Sequence, residues 1–79
     1  MAMLKVTVGN HLMGGVKEEF LCHNVNISDL SEMEYCAEEC VGAFIDMYHL
    51  FFDQDQGTHT YDQKVNSCWY TIEEVDENA

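Results

Sequence analysis

Cysteine and histidine are the residues of this chain that are best suited to nucleophilic, acid–base or metal chemistry. The cysteines are Cys22, Cys36, Cys40 and Cys68, and the histidines are His11, His23, His49 and His59. A nucleophile needs an adjacent base that activates it. No catalytic signature or glycine-rich phosphate loop surrounds any of these positions, so the sequence favours a protein that is not an enzyme.

A zinc site is the first alternative, because Cys36 and Cys40 have the spacing of two ligands on one helix face. Cys22, His23 and Cys68 are the further ligands that such a site would use. Structural zinc sites usually combine two closely spaced pairs of ligands, and here the one pair lies within an apolar stripe. Free cysteine packs as a small hydrophobe. We therefore expect reduced, largely buried thiols and no metal or other cofactor.

The segment 53–57, with the sequence DQDQG, resembles the start of an EF-hand calcium loop. An EF-hand needs glycine at its sixth position and a bidentate glutamate at its twelfth. This chain has Thr58 and Lys64 at those positions. We interpret the segment as a polar loop that binds no metal.

Three segments predict strands. Residues 4–8 alternate apolar and polar side chains, residues 20–27 are rich in strand-forming types, and residues 65–75 form the strongest strand of the C-terminal part. Residues 58–61 predict a short fourth strand. In the second strand we expect one face to carry Phe20, Cys22 and Asn24, and the other to carry Leu21, His23, Val25 and Ile27.

Residues 28–52 predict one long helix, capped by Ser28 or Ser31, with Ser31 and Glu34 in a capping box. Its apolar stripe consists of Met33, Cys36, Ala37, Cys40, Phe44, Met47, Tyr48 and Phe51. A stripe of this width must be buried. The sequence therefore predicts a single α+β domain over residues 1–79, arranged ββαβ or ββαββ, in which a small antiparallel sheet of three to four strands carries one long helix across one face.

The opposite side of this helix is acidic. Glu32, Glu39 and Asp46 recur every seven residues, Glu38 lies beside them, and Tyr35 and His49 lie along the same side. We call Glu32, Glu38, Glu39 and Asp46 the acidic ridge. The helix contains no lysine, so no pairs one turn apart compensate these carboxylates.

The whole chain is strongly acidic, with 15 aspartates and glutamates, three lysines, no arginine and a formal net charge of -12. This charge disfavours direct binding to nucleic acid and favours a basic protein surface as partner. No segment has the length or the apolar character of a membrane span or a signal peptide. We therefore expect a cytoplasmic location.

The chain resembles small phage-encoded inhibitors of bacterial defence, especially anti-CRISPR proteins. The resemblance rests on its length, the acidic ridge and the acidic segment Glu73-Glu74-Val75-Asp76-Glu77. The resemblance is to a class and includes no shared motif. It implies a viral protein in the host cytoplasm that binds an RNA-guided effector complex. Such complexes hold nucleic acid in a positively charged channel, and the inhibitor would occlude that DNA site by acidic charge mimicry.

Two hypotheses follow. In the first, an inhibitor binds its partner through Glu32, Tyr35, Glu38, Glu39, Asp46 and His49, with Asp53 and Asp55 at the rim. In the second, a small adaptor or regulatory protein acts through an apolar interface that includes Leu50, Phe52 and Trp69, and this interface allows a homodimer. The sequence leaves Trp69 open as either a core or an interface residue.

Overall fold

A computed structural model describes residues 2–50 and 61–75 of the chain, except for the side chains of residues 2, 61 and 62. The elements in chain order are β1 (Ala2–Asn10), β2 (Lys17–Val25), α1 (Leu30–Met47), α2 (Tyr61–Asn66) and β3 (Cys68–Val75). The strands form one sheet in the order β2-β1-β3, and both pairings are antiparallel. The predicted α+β class, with one long helix on a small antiparallel sheet, is confirmed.

The C-terminal elements differ from their predicted limits. Residues 61–66 form α2, where the sequence predicts the end of one strand and the start of another, and β3 begins at Cys68. The predicted strand at 58–61 lies largely outside the described residues. The described part of the sheet has three strands.

Alternation along β1 directs one side of the central strand into the core. Leu4, Val6 and Val8 are fully buried, whereas the residues between them are half-buried. The core cluster consists of Val6, Val8, Ala37, Cys40, Phe44, Ile45 and Leu50. The predicted apolar stripe of the helix supplies most of its core residues. Met47 of that stripe is instead 52% exposed, and Ile45 is buried in its place.

Asp29, and neither Ser28 nor Ser31, caps the N-terminus of α1. Its extended backbone lets Oδ1 accept a hydrogen bond from the amide of Glu32 at 3.3 Å. The Glu32 carboxylate in turn accepts one from the amide of Asn26 at 3.3 Å. The predicted capping box at Ser31 is therefore wrong, because an aspartate two residues earlier satisfies the free amides and suits the positive end of the helix dipole.

The helix ends at Met47, five residues before its predicted end. His49 adopts a left-handed conformation with φ 53°. Its amide donates to the carbonyl of Asp46 at 3.2 Å, and the amide of Leu50 donates to Ile45 at 3.1 Å. This is the Schellman arrangement, which is usually accompanied by an apolar contact across the last turn. Leu50 and Ile45 provide it, since both are buried.

A β-bulge in β2 corrects the predicted faces of that strand. Ala2 pairs with Val25 and Leu4 pairs with Cys22, so β2 has one extra residue between these pairs. Asn24 takes up the irregularity with φ 58°, as glycine does in bulges of this kind. Val25 is thereby turned to the core side and is 2% exposed, while Asn24 is exposed.

Candidate functional site

The exposed side of α1 presents most of the predicted acidic ridge to solvent. Glu38, Glu39 and Asp46 are all exposed, and Tyr35 among them is 61% exposed. A rise of about 1.5 Å per residue places Glu39 and Asp46 roughly 10 Å apart along the helix axis. The burial pattern thus brings these residues together on the side opposite the core.

Glu32 differs from the other residues of the ridge. Its side chain is half-buried, and its carboxylate accepts the hydrogen bond from the amide of Asn26. Glu32 therefore has a structural role at the start of α1. The exposed part of the ridge is centred on Glu38, Glu39 and Asp46.

Tyr35 lies one helical turn before Glu39. Hydrogen bonding to the Glu39 carboxylate and its negative charge raise the pKa of Tyr35 above its usual value of 10.0. The phenol therefore remains protonated at neutral pH and can donate a hydrogen bond. Exposed aromatic rings of this kind are frequent at the centres of protein interfaces.

His49 lies just beyond the end of α1 and is exposed. Its left-handed backbone places it at the turn that closes the helix, one residue after the C-cap Tyr48. Asp53 and Asp55, the predicted rim, lie outside the described residues. So do the rest of the EF-hand-like segment 53–57, and Phe52 of the alternative apolar interface.

Contacts between α1 and β2 fix the helix on the sheet. The Tyr48 hydroxyl donates to the Glu18 carboxylate at 2.6 Å, and this bond raises the pKa of Tyr48. The Tyr48 ring also lies 4.8 Å from that of Phe44. The sequence does not predict this cross-link, since Tyr48 is 30 residues from Glu18. The acids of α1 are thus carried by an element with defined contacts to the sheet.

None of the three lysines belongs to α1. Lys5 and Lys17 are on the sheet and Lys64 is on α2, whereas α1 has no basic residue. The Lys5 ammonium lies 3.1 Å from the Glu73 carboxylate. Their hydrogen bond and charge attraction raise the pKa of Lys5. The described charges therefore separate into an acidic helix and a sheet that carries both signs.

Three of the four free thiols meet between α1 and β2. Cys22 Sγ lies 3.7 Å from Cys40 Sγ. Burial raises the pKa of Cys36, and burial together with Cys22 raises that of Cys40 to about 12. These raised pKa values keep both thiols protonated at neutral pH, which makes them poor nucleophiles.

Cys68 and His23 are separate from this cluster. Cys68 Sγ lies 3.3 Å from the side-chain amide of Asn10 near the other end of β1, and His23 is an exposed residue beside the bulge. The zinc alternative would need them beside Cys36 and Cys40. Among residues 2–50 and 61–75, no group of three or more His, Cys, Asp or Glu side chains is arranged to hold a metal ion.

Two residues of the alternative apolar interface are described. Leu50 is 3% exposed and belongs to the core, so it is wrong as an interface residue. Trp69 is half-buried because its indole covers Gly9, where a Cβ atom would come within 2.3 Å of the ring. Trp69 is therefore part of the structure of the sheet and still partly accessible.

No protein family, curated protein or solved structure matches this chain. No helix in the described ranges is long and apolar enough to cross a membrane.

Proposed function

We propose that this protein is a non-enzymatic inhibitor of the anti-CRISPR type, which binds an RNA-guided effector complex and covers the basic surface that receives DNA. The observation that carries the proposal is the exposed set Glu38, Glu39 and Asp46 on one side of a helix without a lysine or arginine. A carboxylate array of this kind offers a basic channel the charge that it otherwise finds in DNA phosphates.

The fixed position of α1 supports charge mimicry over a merely solubilising role. Phe44, Ala37 and Cys40 bury the inner side of the helix, and Tyr48 connects it to Glu18 of β2. The acids are therefore held in register before a partner binds. Such preorganisation reduces the ordering that binding requires, and concentrated charge of one sign accelerates encounter with an oppositely charged surface.

The test is competition for DNA. A panel of bacterial effector complexes, each loaded with guide RNA, is mixed with labelled target duplex and increasing amounts of this protein. We expect at least one complex to lose DNA binding in proportion to the protein added, and less so at high salt because screening weakens the contact. Undiminished DNA binding by every complex, together with no salt-eluted partner in a pull-down from bacterial lysate, would refute the proposal.

The ridge itself is tested by reversing the charge of Glu39 and Asp46 with lysine. We expect the double variant to lose inhibition. The matched control reverses Glu34 and Glu74, which are also exposed but lie outside the ridge. Both variants change the net charge equally. If the control loses as much activity as the ridge variant, net charge and not the ridge is responsible.

A further inference from the structure

We propose that the side of the sheet facing away from α1 associates with the same side of a second copy of this chain. We call this side the open sheet face. Its central part consists of Lys17, Glu19 and Leu21 of β2, Lys5, Thr7 and Gly9 of β1, and Trp69, Thr71 and Glu73 of β3. The proposal is independent of the inhibitor function, which uses α1 on the opposite side.

The strand register defines the open sheet face. Side chains alternate along a strand, and residues opposite each other in adjacent strands share a face. Since Leu4, Val6 and Val8 point into the core, the residues between them point away from it. The register then gives three rows across the sheet: Leu21-Lys5-Glu73, Glu19-Thr7-Thr71 and Lys17-Gly9-Trp69.

Apolar side chains lie at two opposite corners of the three rows, and Met3 and Val75 continue the same face beyond the row of Leu21. Leu21 is 56% exposed at one corner, and the partly exposed Trp69 lies at the other. The described core contacts of the helices are on the other side: α1 supplies most of the core, and Val65 of α2 packs against the same cluster.

The distribution of charged residues favours a second copy of this chain as the partner of the open sheet face. The open sheet face carries two lysines and two glutamates, Lys5 and Lys17 with Glu19 and Glu73. The net charge of the chain is -12, so contact through its acidic helix would bring like charges together. On the open sheet face the charges of two copies balance.

A two-fold axis can place each lysine of this face opposite a glutamate of the second copy. If the axis lies between the two sheets at about 45° to the strands, close to the diagonal from Leu21 to Trp69, the strands of the two copies cross at nearly right angles. This is one of the two preferred packings of sheets. Lys17 then faces Glu73 of the second copy, and Lys5 faces Glu19 of the second copy. Strand spacing of about 4.8 Å and a two-residue repeat of about 6.7 Å bring these positions within roughly 3 Å in projection, which the side chains span.

The remaining positions are compatible with the same axis. Leu21 meets Leu21 of the second copy, Trp69 meets Trp69 of the second copy, and Thr7 lies at the centre. Lys5 already pairs with Glu73 of its own chain. The association therefore extends an existing ion pair into a row of alternating charges, in which each residue is paired with an opposite charge.

The size of the face predicts weak association. The three rows span five residues on each of three strands and cover roughly 240 Å² per copy, or about 500 Å² for both, which is below the range of stable protein interfaces. We expect a reversible dimer that is half-formed on the order of 100 µM. In sedimentation equilibrium near physiological salt, the weight-average mass should rise from 9.1 kDa toward twice that value with concentration. A constant mass up to about 1 mM would overturn the proposal.

Leu21→Glu locates the interface. It places a third acid on the open sheet face, and we expect association to weaken by about tenfold or more. Leu30→Glu is the matched control, since Leu30 is 65% exposed at the start of α1 and the substitution adds the same charge. Equal loss in both variants would show that the face is not the contact.

Charge exchange tests the diagonal axis. Lys17→Glu alone and Glu73→Lys alone should each weaken association about tenfold, because each breaks two symmetric pairs. The double variant restores opposite charges at both pairs but lacks the ion pair of Lys5 with Glu73 within each chain, so it should bind more tightly than either single variant and more weakly than the parent. If it remains as weak as either single variant, this arrangement of the two copies is wrong. Both residues are exposed, and circular dichroism confirms that each variant is folded.

Discussion

Asn10 connects the first strand to the C-terminal elements, and replacing it tests how much this connection contributes to stability. It is the buried polar residue of the described core, at 1% exposure. Its Nδ2 donates to the carbonyl of Lys64 and lies 3.3 Å from Cys68 Sγ, while its Oδ1 accepts from the amide of Leu12 at 2.9 Å. One side chain thus connects the end of β1 to α2 and to the start of β3.

Replacing Asn10 with alanine removes these bonds and leaves polar backbone groups without their partner. Each buried group left unsatisfied costs about 1–3 kcal/mol, and some of these groups retain access to water, so we expect a loss of roughly 2–3 kcal/mol. A chain of 79 residues has a total stability of about 4–12 kcal/mol. The melting temperature should therefore fall by roughly 10–20 °C, measured by circular dichroism, with urea unfolding giving the free energy.

Asn26 provides a matched control. Its Oδ1 accepts from the amide of Ser28 at 3.0 Å, the same local turn that Asn10 makes with Leu12, but Asn26 is exposed. Asn26→Ala should cost only about 0.5–1 kcal/mol. Asn10→Asp preserves shape and the Oδ1 acceptor while removing both donations, so it should destabilise at least as much as Asn10→Ala. Equal losses at positions 10 and 26 would refute the assigned role of the buried amide.

Three further outcomes are expected. Urea unfolding should show stability falling as pH rises from about 9 to about 12, because the unfolded Cys40 thiol ionises near 9.0 while its folded pKa is about 12; stability that is constant over this range would contradict the raised pKa. Asn24→Val should lower the unfolding free energy by about 1–2 kcal/mol, because a β-branched residue is strained at φ 58°, whereas Asn24→Gly should be tolerated; similar values for the two variants would argue against the bulge. The melting temperature should rise between low and moderate salt, since the chain carries a net charge of -12 that salt screens, and an unchanged value would show that self-repulsion is unimportant.

The periodic parts of the fold could be predicted from the sequence, and the irregular parts could not. Alternation in β1 and the helical spacing of Ala37, Cys40 and Phe44 identify the two surfaces that form the core. The end of α1 carries no such signal. The apolar residues after Met47 continue the helical pattern, and the left-handed residue that ends the helix is a histidine and not the usual glycine.

The candidate site likewise has residues whose position the sequence predicts and residues whose position it does not. Exposure of Glu38, Glu39 and Asp46 follows from their position opposite the apolar stripe. The role of Glu32 depends on which residue begins the helix, and that choice is ambiguous in the sequence because Ser28, Asp29 and Ser31 are all residue types that cap helices. Tyr48 and Glu18 are joined only in the folded chain, so their contact has no local pattern in the sequence.

The two proposed surfaces should respond to salt in opposite directions. Binding of the exposed acids of α1 to a basic partner is an attraction between net charges, so it weakens as the screening length falls from about 30 Å at 0.01 M to about 8 Å at 0.15 M. Association of two copies through the open sheet face instead brings together chains that each carry a net charge of -12. Their long-range repulsion is screened over the same range, while contacts such as Lys17 with Glu73 of the second copy act at short distance. Self-association should therefore strengthen between these salt concentrations as partner binding declines. If both weaken together, the open sheet face is held mainly by its ion pairs and the apolar corners contribute little.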